Sequence, residues 1–175
     1  MTTRKTIQAF ISHLKSPVGM LDIVSMQNAL CLITFASRQG IESASEWMAK
    51  YISYAIMEED EKKNASFHKE QNEYFDGKRK RFLSKIHMIG TDFQLQVWTA
   101  LRSIPYGETT SYKSIAMTIG NPSATRAVGA AIGRNPVPII VPCHRVIGEN
   151  GNMVGFGGGI DRKKKLLQLE GAIIC

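Results

Sequence analysis

The sequence predicts an α+β fold in two parts. An antiparallel sheet with flanking helices is expected over residues 1–88, and a helical domain with a helix-turn-helix over residues 89–175. Three observations carry this expectation. Residues 6–35 break into TIQAFISHL, MLDIVSM and ALCLITF, short apolar-rich stretches separated by turn residues. From Thr91 onward the pattern becomes helical, with Phe93, Val97, Leu101 and Ile104 recurring on one face. Between the two, IHMIGTD belongs to neither pattern and marks a boundary near 86–91.

Composition sets the class. The chain has 175 residues, 43% hydrophobic and 21% charged, enough for a core and a solvated surface. No run approaches the roughly 18 apolar residues that span a bilayer. MTTRKTIQAFISHL lacks the apolar stretch and small-residue cleavage site of a signal peptide. A protein without membrane association is expected, cytoplasmic or, in a eukaryote, nuclear. The net charge of +7 favours a polyanionic partner such as nucleic acid. Cys31, Cys143 and Cys175 are far apart with no CxxC pair, which argues against a disulfide framework. Together with His13, His68, His87 and His144 they show no zinc-site spacing, so no metal is expected.

Each element follows from local signals. The three opening stretches read as strands, with Pro17 and Gly19 making the first turn and Cys31 a small core residue. SASEWMAKYISYAIM, 43–57, places Trp47, Tyr51, Tyr54 and Ala55 at helical spacing and reads as an amphipathic helix. EEDEKKN, 58–64, reads as a solvated charged loop, and a short helix around Phe67–Phe75 ends at Asp76-Gly77. KRKR at 78–81 is a solvated surface or a phosphate-facing patch. Thr91 with Gln94 forms a capping box for the next helix, which Pro105-Tyr106-Gly107 stops. SYKSIAMTIG, 111–120, and ATRAVGAAIGR, 124–134, are two more helices across an Asn121-Pro122-Ser123 turn, a helix-turn-helix candidate. The last of these is rich in Ala and Gly and carries Arg126 as its one large charged side chain before Arg134. Such a face suits close helix packing or close approach to a nucleic-acid backbone.

The chemistry concentrates at 135–171. Asn135-Pro136 turns the chain, and VPIIVP, pinned by Pro138 and Pro142, reads as a rigid, partly irregular strand. It delivers Cys143, His144 and Arg145 side by side, held stiffly enough for accurate placement of a nucleophile. A free thiol has a pKa of about 8.5, so a nucleophilic Cys143 needs help from a base or from positive charge. In an extended segment Cys143 and His144 point apart, so a bridging water with a carboxylate orienting the imidazole is the reading adopted. Glu170, ending the apolar helix LLQLE, is the candidate carboxylate, or else an ordinary helix-terminal glutamate. Arg145 fits a salt bridge or a phosphate contact equally well.

NPVPIIVPCHRVIGENGNMVGFGGGIDRKKKLLQLEG resembles the active-site signature of the O6-alkylguanine-DNA alkyltransferases, or methylated-DNA–protein-cysteine methyltransferases. TDFQLQVWTALRSIPYGETTSYKSIAMTIGNPSATRAVGAAIGRNP is similar to the helices that precede it in that family, and YFDGKRKRF is the familiar stretch in the N-terminal half. The resemblance implies an RNase H-like plan for the first domain and a winged-helix-like second domain. It implies that Cys143 accepts an alkyl group from O6 of guanine, that His144 relays the proton through water, and that Glu170 orients His144. Asn135 would shape the turn and Tyr112 would donate to the leaving base. Arg126 would enter the duplex where the flipped nucleotide was, with Ser123, Ala124, Thr125, Ala127 and Gly129 around it on the DNA side. Val146, Phe156, Gly157 and Gly158 would line the base pocket. Gly157 stands where some relatives carry a hydroxyl, and the N-terminal Cys cluster that binds zinc in some relatives is absent. The implied protein is a monomer without cofactor that repairs double-stranded DNA containing alkylated guanine, once per molecule. The rival readings are an alkylated-DNA-binding protein without chemistry, a winged-helix regulator and a thiol hydrolase.

Overall fold

In the computed structural model the described residues are 6–36 and 43–173. Cys175 lies outside them. Contacts along the chain group into two compact units, residues 1–89 and 90–175.

The first unit is built on a four-stranded sheet of β1 (Ile7–Ser16), β2 (Gly19–Met26), β3 (Ala29–Phe35) and β4 (Ala55–Glu59), in the order β3-β2-β1-β4. β1–β2 and β2–β3 are antiparallel hairpins, but β4 runs parallel to β1. The sheet is therefore mixed, which corrects the expected all-antiparallel one. Helix α1 spans Ala44–Tyr51 only, started by a Ser43–Glu46 capping box. The expected helix over 43–57 stops there, and Ala55–Glu59 switches to the two-residue alternation of a strand. Tyr51 and Tyr54, expected on its buried face, are 40% and 43% exposed.

α1 closes one face of the sheet: Trp47, Met48 and Ile52 pack on Ala9, Val24, Met26, Cys31 and Leu32. The other face carries a buried polar group. Asn64, at the N-cap of α2 (Ala65–Phe75), is fully buried. Its Nδ2 lies 2.9 Å from Ser12 Oγ and 3.0 Å from the Ile23 carbonyl, and its Oδ1 accepts from Ser25 Oγ at 2.5 Å. The stretch expected as a solvated loop thus ends in a structural anchor, because a buried amide needs its hydrogen bonds met. Of the KRKR run, Arg79 is engaged locally, its Nε donating to Glu73 at 2.8 Å.

The second unit comprises α3 (Asp92–Leu101), β5 (Thr110–Ser111), α4 (Tyr112–Thr118), a 3-10 turn (Pro122–Ala124), α5 (Thr125–Gly133), a second 3-10 turn (Cys143–Arg145), β6 (Val146–Ile147) and α6 (Ile160–Leu169). The Thr91–Gln94 capping box starts α3. Val97, Trp98 and Leu101 are buried, and Trp98 Nε1 donates to the Ala131 carbonyl near the end of α5 at 2.9 Å. That bond fixes α5 against α3. On α5 the buried stripe is Val128, Ala131 and Ile132, which leaves Arg126, Ala127 and Ala130 exposed. Among the described residues no helix is long and apolar enough to cross a membrane, and no group of His, Cys, Asp or Glu side chains is placed to hold a metal ion.

Candidate active site

The segment 135–142 that leads to Cys143 is a clamped loop, where a strand was expected. Three prolines deny it ladder hydrogen bonds, and it closes on itself instead. Asn135 Nδ2 donates to the Val141 carbonyl at 2.8 Å, and Asn135 Oδ1 accepts from Val137 N at 3.0 Å. Val141 N donates to the Val137 carbonyl at 2.9 Å. Inside this clamp Ile139 sits at φ 77°, a conformation that costs a β-branched residue about 1–3 kcal/mol and persists only under such constraint.

Cys143, His144 and Arg145 form one 3-10 turn. With three residues per turn, consecutive side chains diverge by about 120° rather than alternating. This revises the extended geometry expected for VPCHRV. Cys143 is only 5% exposed. Burial pushes its thiol up to about 11, with Asn135 and the charge of Lys163 acting in the opposite direction. The thiol therefore rests protonated, and reaction at carbon requires that the proton be taken away.

The ladder between β5 and β6 sets the register of what surrounds it. Thr110 pairs with Val146 and Ser111 with Ile147. The ladder is parallel, so Tyr112, which follows β5, continues toward Gly148, the residue after β6, rather than toward Arg145 before it. The Tyr112 hydroxyl is raised above its ordinary value by burial first and by Cys143 second, which puts it within electrostatic range of that thiol. It donates to the Val154 carbonyl at 2.9 Å and lies 3.3 Å from that of Gly155. The Tyr112 ring stands over Gly129, where an added Cβ would lie 3.7 Å from the ring edge. Gly129, expected on the DNA side, thus also lies against Tyr112, at a distance where an alanine methyl would make ordinary contact with the ring.

His144, Arg145 and Glu170 form a buried triad. His144 Nε2 lies 2.8 Å from Glu170 Oε1. A carboxylate oxygen needs a donor, so Nε2 carries the hydrogen and Nδ1 presents a lone pair. Nδ1 is buried and has no hydrogen-bond partner among the described residues. Burial pushes the imidazole below its ordinary value; Glu170 pulls upward, while Arg145 and Lys163 add to the lowering. Arg145 donates through Nε to Glu170 Oε2 at 2.8 Å, through Nη2 to Oε1 at 2.9 Å, and through Nη1 to the Ile104 carbonyl at 2.6 Å. Its guanidinium carbon lies 5.7 Å from the centre of the Tyr106 ring. Glu170 is thus a partnered buried carboxylate, and Arg145 is an internal salt bridge rather than a phosphate contact.

Lys163 was missed in the sequence. It is fully buried, and its Nζ lies 2.6 Å from the Val146 carbonyl, 2.9 Å from that of Val154 and 3.4 Å from that of Gly155. Burial lowers it to about 8, with Cys143 acting upward. The signal was present: Ile160, Lys163, Leu167 and Glu170 share the i, i+3, i+7 spacing of one helix face. A charged residue on the buried stripe of α6 has to be partnered.

The remaining expected residues fall into two sets. Val146 is buried beside the 3-10 turn, Phe156 is half-buried, Gly157 is exposed and Gly158 is buried in the loop before α6. Ser123, Arg126 and Ala127 are exposed at the start of α5, with Ala124 and Thr125 half-buried. Arg126 has no contact with the Cys143 turn among the hydrogen bonds and ion pairs of the described residues, so it forms a surface feature apart from the buried triad.

Comparison with known proteins places this geometry. Residues 92–172 match the family model "6-O-methylguanine DNA methyltransferase, DNA binding domain". The inducible methylated-DNA–protein-cysteine methyltransferase of Bacillus subtilis (strain 168) is 51% identical over 130 residues, 74% of this chain and 73% of the relative. The methylated-DNA–protein-cysteine methyltransferase of Methanosarcina acetivorans is 42% identical over 163 residues, 90% of this chain and 96% of the relative. The crystal structure of Mycobacterium tuberculosis OGT in complex with DNA superposes with a TM-score of 0.78 at 38% identity, over 94% of this chain and 93% of that one. With similarity of this extent along both units, and a buried Cys-His-Glu site in the matched region, the chain belongs to the methylated-DNA–protein-cysteine methyltransferases.

Proposed function

We propose that this protein repairs DNA by transferring the alkyl group of O6-alkylguanine to Cys143. The observation that carries the reading is the unpartnered Nδ1 lone pair of His144, fixed by Glu170 one residue from a buried thiol. A general base needs this arrangement: a defined tautomer, a free acceptor and a nearby acid. In the step, Sγ forms a bond to the alkyl carbon as the carbon–O6 bond breaks, and the thiol proton passes through a water to His144 Nδ1. The electron pair of the broken bond stays with guanine. Tyr112 gives up its Val154 acceptor and donates to the base, offsetting the charge that develops there.

The target oxygen lies on the pairing edge of guanine, so the base leaves the stack to react. The second unit acts as a winged-helix-like module, with α4 and α5 as its helix-turn-helix. Arg126 fills the gap in the duplex, and Ser123, Ala124, Thr125, Ala127 and Gly129 allow close approach to the backbone. Val146, Phe156, Gly157 and Gly158 receive the flipped base. The first unit, of RNase H-like plan, supports the second, and the protein works as a monomer on double-stranded DNA. The relative solved with DNA and the basic charge of this chain support the partner. The product is a thioether, a very poor leaving group, so each molecule reacts once.

Intact-mass spectrometry after incubation with DNA carrying O6-methylguanine tests the reading. One added methyl group on Cys143, absent from Cys143→Ala, is expected. Tight lesion binding with unchanged mass would favour a binding-only relative, and product beyond one equivalent would favour a hydrolase.

A further inference from the structure

His144 faces charge from two elements. Glu170 and Lys163 come from α6 and its end, and Arg145 and Cys143 come from the same 3-10 turn. Tyr106, in the segment after α3, lies against Arg145 and donates to the Leu169 carbonyl at 3.2 Å. The Glu170 carboxylate is the strongest influence pulling a proton onto the imidazole. Left alone in a dry site, a carboxylate 2.8 Å from Nε2 would favour the imidazolium and so remove the base the reaction needs. The guanidinium of Arg145 answers this twice. It takes both carboxylate oxygens in a planar two-pronged contact, and it places a permanent positive charge beside the carboxylate.

We propose that Arg145 is a positioning residue for alkyl transfer: it fixes the Glu170 carboxylate and offsets its charge, so that His144 stays neutral and ready to take the thiol proton. The inference rests on the alkyl-transfer reading for the reaction, and on the contacts alone for the state of the imidazole. Among the described residues Arg145 makes no hydrogen bond to the thiol, so its effect on the reaction passes through Glu170 and His144. The remaining neighbours of His144, including Lys163, are unchanged when Arg145 alone is replaced.

The test compares the parent with Arg145→Met and Arg145→Lys. Single-turnover methyl transfer from duplex DNA carrying O6-methylguanine is measured from about pH 5 to about pH 9, with circular dichroism confirming the fold at each pH. Removing the positive charge raises the proton affinity of His144, so the acid limb of the Arg145→Met profile moves to higher pH by about one unit or more. Arg145→Lys keeps the charge without the two-pronged contact. Its limb stays within about half a unit of the parent, while the plateau rate falls about tenfold. An Arg145→Met limb coincident with the parent's, or an Arg145→Lys limb displaced as far as that of Arg145→Met, overturns the proposal. If Arg145→Met does not fold, a folded Arg145→Lys whose limb moves by a full unit overturns it equally, and one whose limb holds while the plateau falls supports it.

A second readout needs no transfer. In protein labelled with carbon-13 histidine, the resonance lost in His144→Gln titrates at higher pH in Arg145→Met than in the parent. An unchanged titration overturns the proposal. A parent that shows this titration but transfers no methyl group overturns the alkyl-transfer reading instead and leaves the control of His144 by Arg145 standing.

Discussion

Replacing Glu170 by Gln removes one charge from a buried site held by donors on His144, Arg145 and Gly107. The carboxylate receives His144 Nε2 at 2.8 Å, Arg145 Nε at 2.8 Å, Arg145 Nη2 at 2.9 Å and Gly107 N at 3.4 Å. An amide has one oxygen and one NH2. With the oxygen toward Arg145 Nε, the NH2 faces the N–H groups of His144 and Arg145 Nη2. With the amide reversed, it faces Arg145 Nε and the Gly107 N–H. Either way at least one charge-assisted bond becomes a donor–donor contact, at about 1.5–3 kcal/mol each. Arg145, almost completely buried, also loses its counter-charge. Breaking a buried pair from one side costs about 3–5 kcal/mol, a large share of a domain's stability of about 5–15 kcal/mol. The assay is urea unfolding in a Trp47→Phe background, so that the buried Trp98 alone reports on the second unit. Glu170→Gln is expected to lose about 3–5 kcal/mol. The double variant Glu170→Gln with Arg145→Met, which buries no unpaired charge, is expected to lose clearly less than the two single losses added together, by about 1 kcal/mol or more. A loss below about 1 kcal/mol for Glu170→Gln, or simple additivity in the double variant, would refute the reasoning.

Two predictions concern the first unit. Asn64→Leu leaves Ser12, Ser25 and the Ile23 carbonyl without the buried amide that serves them, so a loss of about 2–5 kcal/mol is expected in urea unfolding in a Trp98→Phe background, where Trp47 alone fluoresces. A loss under about 1 kcal/mol would show that these groups find other partners. Gln71 is fully buried on α2, and neither its Nε2 nor its Oε1 has a hydrogen-bond partner among the described residues. Gln71→Leu is therefore expected to stabilise the protein by about 1–2 kcal/mol, read as a rise in thermal midpoint, and a fall would contradict the assignment.

Much of the fold was legible because it rests on local signals. The capping boxes at Ser43 and Thr91 start α1 and α3, since an N-cap side chain and the third residue of a helix satisfy each other's backbone over a few ångströms of chain. The turns at Gly19 and Gly120 sit at φ 108° and 75°, a region open to glycine. The 43–57 stretch was misread because helical spacing of aromatics outweighed the Ala55–Glu59 alternation, and only pairing with β1, over forty residues away, made that segment a strand. Asn64 looked like part of a charged loop for the same reason, since its partners lie on β1 and β2.

The candidate site divides along the same line. The sequence by itself determined which groups are present: the thiol, imidazole and guanidinium of VPCHRV, the rigid proline-bound approach, the carboxylate at Glu170 and the Tyr112 hydroxyl. The family was legible as a resemblance, because the stretches that carry it run continuously from about 91 to 171. Only the tertiary structure decided what those groups do to each other. The sign of a pKa shift depends on burial and on charges within a few ångströms, and those distances are set by chain segments far apart in sequence. Arg145, which suited a surface phosphate as well as a salt bridge, became an internal partner of Glu170 because α6 returns to the 3-10 turn. Lys163 is one of three consecutive lysines in the sequence, and the same return turns it inward onto the carbonyls of Val146 and Val154.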